Sequence, residues 1–222
     1  MKKFLIALCF LSPFLAFGQE EQFIPWSEKR LTWNDYLAEP SDLSDAAAIT
    51  STALGFEYHI RNNMPTYKIT CSFSKTRSWG KYKTDYILKH EQGHFDITEI
   101  YARKLAKALD EYKFNPKKYQ QDLNKIYGDV MKEKEEFQNE YDDNTDYSRK
   151  KGKQSEWLER IATLLADLGD YRDYTVFTSI KKSFLVSGPV QNNKSVSASK
   201  QDKKLLIEKS MDGHDGKKAG NR

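Results

Sequence analysis

Between Leu31 and Phe73 apolar and polar residues alternate, and from Thr84 to Leu168 apolar residues recur every three or four positions. The chain therefore reads as strands followed by helices. Leu31–Trp33, Ala46–Leu54, Phe56–Ile60 and Thr66–Phe73 have the period of half-buried strands, and Arg61-Asn62-Asn63-Met64-Pro65 is a turn between the last two. The first helix is expected over Thr84–Tyr112, with Ile87, His90, His94, Ile97, Tyr101, Leu105 and Ala108 on its inward face. A second is expected from Pro116 to Tyr141, with a stripe of Tyr119, Leu123, Ile126, Val130 and Phe137. A third, Lys151–Leu168, turns Trp157, Ile161, Leu164 and Leu168 inward and stops at Gly169-Asp170. Strands first and helices afterwards indicate an α+β fold, a small antiparallel sheet packed on the first helix with two further helices.

The ends do not fit this pattern. Lys2 and Lys3, the apolar run Phe4–Phe17 and the small-residue pattern before Gly18 make residues 1–18 an expected secretory signal peptide. The mature chain is then exported, to the periplasm or beyond, and no later segment is long and apolar enough for stable membrane insertion. Residues 23–187 are expected to form the folded domain. Within it, Tyr171–Val186 reads as a terminal strand or short helix. Residues 188–222, rich in Ser, Asn, Lys, Asp and Gly, lack the apolar surface to order themselves and read as a polar tail.

Loss of Lys2 and Lys3 takes the formal charge from +4 to +2, and the 31% of charged residues are of mixed sign. With no basic stripe along a helix, nucleic acid is not an expected partner. Export removes Cys9 with the signal and leaves Cys71 alone, so no internal disulfide holds the fold together. Cys71 reads as a small buried hydrophobe.

The candidate chemistry lies in His90-Glu91-Gln92-Gly93-His94. Four residues apart on a helix, the two imidazoles face one point with Glu91 beside them. Two neutral imidazoles can hold zinc, and a carboxylate next to the first can act as general base toward a water that the metal acidifies. The chain has four histidines, so this spacing is improbable by chance. Two core histidines would be the bland alternative, but Glu91 would then be a costly buried charge.

Catalytic zinc commonly takes three protein ligands. His214 lies in the polar tail and His59 near the hairpin turn, and neither is a good third. Asp96 and Glu99 stand about 120° and 180° around the helix from His90. The segment Tyr141–Ser148 gathers oxygen donors in Asp142, Asp143, Thr145, Asp146 and Tyr147, although Asp and Asn there also suit a helix stop and N-cap.

Trp33-Asn-Asp35-Tyr36, Ser78-Trp79, the block from His90 to Leu105, Tyr141-Asp142-x-x-Thr145 and Gln154-x-x-Trp157 together resemble the bacterial domain-of-unknown-function 922 family, described as secreted zinc-dependent proteases by prediction. The resemblance runs from about Trp33 to Trp157. It implies a zincin-like fold, a catalytic zinc and a peptide or protein substrate. The family pattern places a histidine two residues beyond the threonine, where this chain has Tyr147. The residues thus point to His90 and His94 as metal ligands, Asp142 or Tyr147 as the third, Glu91 as general base and Tyr147 as a catalytic candidate. The other reading is a non-enzymatic envelope binding protein on a degenerate scaffold of that kind. Glu91 favours chemistry, because a purely structural zinc site needs no base.

Overall fold

The computed structural model describes residues 20–178, apart from the side chains of 177 and 178. The expected signal peptide and polar tail lie outside the described residues, as does the end of the expected domain. In chain order the elements are β1 (Phe23–Pro25), β2 (Ala48–Ile49), β3 (Thr52–Arg61), β4 (Met64–Ser74), β5 (Trp79–Gly80), α1 (Asp85–Glu111), α2 (Tyr119–Thr145), α3 (Lys151–Asp167) and β6 (Val176–Thr178). The described residues form an α+β fold, with a small antiparallel sheet and three α-helices.

The sheet is built on the β3–β4 hairpin, paired from Thr52↔Phe73 to Arg61↔Met64. Its turn is Asn62-Asn63, with φ of 50° and 60°. Two consecutive left-handed residues give the turn whose twist matches that of paired strands, and asparagine tolerates that conformation. β3 covers one edge of β4. β1 and β6 share the other, end to end, at Ser72–Ser74 and Thr66–Lys68. The expected strand Ala46–Leu54 divides in two. β2 leaves the main sheet to pair with β5, and β3 begins at Thr52.

α1 lies at the centre, in contact with β3 and β4 and with both other helices. It is consequently buried on every side from His90 to Arg103, with only His94 reaching partial exposure. The single inward stripe expected for it is too narrow, because two layers close over it. The core joins Leu54, Phe56, Ile69 and Phe73 of the sheet to Phe95, Ile97, Ile100 and Leu105 of α1 and to Leu123, Tyr127 and Tyr141 of α2.

Three boundaries differ from the sequence expectation. Leu31–Trp33 is not a strand. Thr32 and Asp35 form a capping box around a short 3-10 turn, with the Asp35 carboxylate accepting from the Thr32 amide and hydroxyl, both at 2.9 Å. α2 begins after Pro116, not at it, and continues past Tyr141 to Thr145. That extension is satisfied locally, since the Thr145 hydroxyl donates to the Tyr141 carbonyl (2.7 Å) and the Tyr147 amide to the Asp142 carbonyl (2.9 Å). The chain then turns through three left-handed residues, Asp146, Tyr147 and Ser148, at φ of 50°, 51° and 72°.

Candidate metal centre

α1 is started by Thr84, whose hydroxyl accepts from the Ile87 amide at 3.2 Å. The next turns bring His90, Glu91 and His94 under α2. Gly93 sets how closely the helices meet. A Cβ on Gly93 would lie 2.5 Å from the Tyr141 hydroxyl and 2.9 Å from its ring. Glycine inside a helix costs about 0.5–1 kcal/mol relative to alanine, and here it admits the Tyr141 ring. That ring stacks on His90 at 4.5 Å between centroids and 23° between planes, and meets His94 edge-on at 5.1 Å. Its hydroxyl donates to the His90 carbonyl at 3.3 Å.

Asp142, next to Tyr141, is thereby carried to the histidines. Its Oδ1 is 3.1 Å from His90 Nε2 and 3.1 Å from His94 Nε2. One ligand atom from each of the three residues lies within 4.8 Å of the others. Two imidazole nitrogens and a carboxylate oxygen gathered this closely are a donor set that suits a divalent ion such as zinc, once His94 gives up its proton. Gln138, one turn back on α2, holds His94 from behind. Its Oε1 is 2.5 Å from His94 Nδ1, and its amide nitrogen donates to the His94 carbonyl at 2.9 Å. His90 Nδ1 is buried and has no hydrogen-bond partner among the described residues. The ring is oriented by the Tyr141 stack instead.

In the metal-free cluster, burial works against charge on His94, but Asp142 and its hydrogen bond outweigh it and push the imidazole up to about 9. Burial opposes the Asp142 carboxylate too, yet the two histidines hold it well below the usual carboxylate range. Glu91 is 5% exposed and makes no hydrogen bond among the described residues. Its charge is felt at Tyr36, whose phenol is pushed well above its ordinary value by burial first and Glu91 second. The Tyr36 hydroxyl itself meets Thr50 Oγ1 at 2.8 Å.

Tyr147 is 49% exposed on the left-handed turn, its phenol raised by burial and then by the charge of Asp142. Its amide donates to the Asp142 carbonyl, and its side chain makes no contact with either histidine among the described residues. His59 is exposed near the end of β3. His214 lies outside the described residues.

Residues 12–150 match a family described as bacterial protein of unknown function, DUF922. The chain belongs to this family. No curated protein and no solved structure matches it.

In this member of the family, the polar residues of α1 that lie outside the His90–His94–Asp142 group fasten the rest of the chain to it. Gln92 accepts from the Leu31 amide at 2.9 Å and donates to Asp96 Oδ1 at 2.9 Å. Asp96 takes the Trp26 indole N–H at 2.9 Å and pairs with Arg30. Glu99 accepts from Arg103 Nε at 2.8 Å and from the Tyr174 hydroxyl, and Arg103 donates to the Leu165 carbonyl at 2.7 Å. A helix buried on all sides must satisfy its polar groups internally, and these partners lie 61 to 75 residues away in sequence for Leu31, Trp26, Arg30, Leu165 and Tyr174. On the far side, the Tyr86 hydroxyl donates to the Ser148 carbonyl (2.6 Å) and Gln154 to the Tyr86 carbonyl (3.1 Å), which fixes the turn after α2. Trp157 of α3 then closes over Tyr141 at 5.5 Å.

Gln138 and Tyr36 were not singled out in the sequence. Gln138 had a signal, a polar residue three and four positions before Tyr141 and Asp142 on the inward side of α2. Tyr36 had none beyond its place in the family block.

Proposed function

We propose that the chain is an exported zinc-dependent peptidase with a zincin-like fold. The observation that carries this reading is the convergence of His90 Nε2 and His94 Nε2 on the same oxygen of Asp142, with the Glu91 carboxylate buried on the same turn. His90, His94 and Asp142 would hold zinc, which when bound supplies Lewis acidity toward a water and a peptide carbonyl. Gln138 keeps His94 Nε2 aimed inward by occupying Nδ1. Glu91, free of a competing hydrogen bond, accepts the proton of the attacking water and delivers it to the leaving amine. Tyr147, exposed on the turn that follows Asp142, would hydrogen-bond a substrate carbonyl as negative charge develops there. No helix among the described residues is long and apolar enough to cross a membrane, which is consistent with export directed by residues 1–18.

The test is hydrolysis of fluorescently labelled casein by the zinc-loaded mature chain and its Glu91→Gln variant. The amide keeps the size of the side chain and cannot take a proton at neutral pH. Hydrolysis by the wild type and its loss in Glu91→Gln, with zinc content unchanged, is the expected result. Equal rates in the two proteins would remove Glu91 from the mechanism.

A second reading, a non-enzymatic envelope binding protein, draws support from the His94–Asp142 ion pair. That pair balances its own two charges without a metal, although Glu91 remains buried beside it. In this reading a metal is structural or absent, so a chain that takes up no zinc, or that takes it up and hydrolyses nothing, favours it over the peptidase.

A further inference from the structure

A half-open pocket of about 710 Å³ lies among β1, β3, β4 and α2, lined by Leu54, Phe56, Tyr127 and Met131 and by the charged Glu57, Arg77 and Lys134. That volume falls within the range of sites that enclose small molecules, roughly 300–1,000 Å³. Lys134 is out of place there. It occupies the inward stripe of α2, four residues after Val130 and four before Gln138, both of them buried. It makes no hydrogen bond or ion pair among the described residues.

The charged groups around Lys134 offset it only in part: Glu135, the next residue, is exposed and acts at a distance, and Glu57 pairs with Lys68 at 3.2 Å. Glu99 is taken by Arg103, Tyr174 and the Cys71 thiol. At the rim, Arg77 and Glu21 neutralise each other at 2.7 Å. An ammonium drawn into a largely apolar pocket without a direct ion-pair partner is costly, and burial does push Lys134 below its ordinary value. A ligand that brings a negative charge removes that cost, and the aliphatic and aromatic walls favour an apolar remainder. Both features are independent of the metal cluster.

We propose that this cavity binds an apolar molecule ending in a carboxylate, with the Lys134 ammonium as its counter-ion. Dodecanoate, dodecanol and dodecylammonium serve as probes, titrated calorimetrically into the mature protein in metal-free buffer, so that no zinc ion competes for the carboxylate. The expected order is dodecanoate tightest, dodecanol weaker and dodecylammonium weakest. Lys134→Met, which keeps the length of the stem, should weaken dodecanoate about tenfold or more and leave dodecanol unchanged. Dodecanol binding the wild type as tightly as dodecanoate would overturn the proposal without recourse to any variant. So would no binding of dodecanoate, or an unchanged dodecanoate affinity in a folded Lys134→Met.

Discussion

The Tyr141 hydroxyl occupies the space that a side chain on Gly93 would need, 2.5 Å from the position of its Cβ. This contact decides how deeply α2 sits on α1. It brings Tyr141 onto His90 and, through the next residue, Asp142 onto both histidines. Gly93→Ala should therefore displace Tyr141, destabilise the fold by about 1–3 kcal/mol and weaken metal binding. Urea unfolding and zinc titration of the same variant measure both effects. A loss of stability with unchanged zinc affinity would uncouple the helix contact from the metal cluster.

Gln138 touches His94 at two points, and its removal leaves the ring free to turn. Gln138→Leu should lower zinc affinity about 10–100-fold while the fold remains. Competition against a chromogenic chelator at fixed pH gives the ratio directly.

Asp142 and Tyr147 were the two candidates for third ligand, and they occupy different surroundings. Asp142 is buried between the imidazoles, whereas Tyr147 is half exposed with its phenol pushed up, so the phenolate that a metal needs is disfavoured. Asp142→Ala should abolish tight zinc binding, and Tyr147→Phe should leave it unchanged while slowing hydrolysis. Zinc loss in Tyr147→Phe would return the tyrosine to the metal.

The metal-free protein should respond to pH through the same residues. His94 titrates at about 9 in the folded state against an ordinary 6.5, so its contribution is complete below about 6.5 and is lost as pH rises through 9. Asp142 is lowered from 3.8, and its contribution is present above that value and lost as pH falls below it. Unfolding measured in chelator should thus show highest stability from this pair between about pH 4 and 6.5. Asp142→Asn should flatten both limbs, at a cost of about 3 kcal/mol or more within that window. Zinc binding at pH 7 must displace the His94 proton, and calorimetry in buffers of different ionisation enthalpy should register its release.

What the sequence made legible follows from the range of the interactions. The histidine pair is local, since helix geometry alone puts residues 90 and 94 on one face. The Asn62-Asn63 turn is local too. Asp142 was a candidate from its chemistry, but the extension of α2 that aims it was hidden, because Asp-Asp-Asn-Thr-Asp reads equally well as a helix stop. The Thr32/Asp35 capping box carried its own signal, overridden by the alternation of Leu31–Trp33. Gln92, Asp96, Glu99 and Arg103 look like the solvated face of an amphipathic helix. Their buried roles depend on Leu31, Trp26, Arg30, Tyr174 and Leu165, and no local pattern reveals partners so far along the chain.

The zinc content of the mature protein, purified without added metal and then dialysed against zinc, tests the account most directly. About one zinc per wild-type chain and none in His90→Ala or His94→Ala is the predicted result, with the thermal midpoint of the wild type raised by zinc and that of the variants unmoved. A wild type that takes up no zinc, or variants that retain it in full, would contradict a metal centre built on His90, His94 and Asp142.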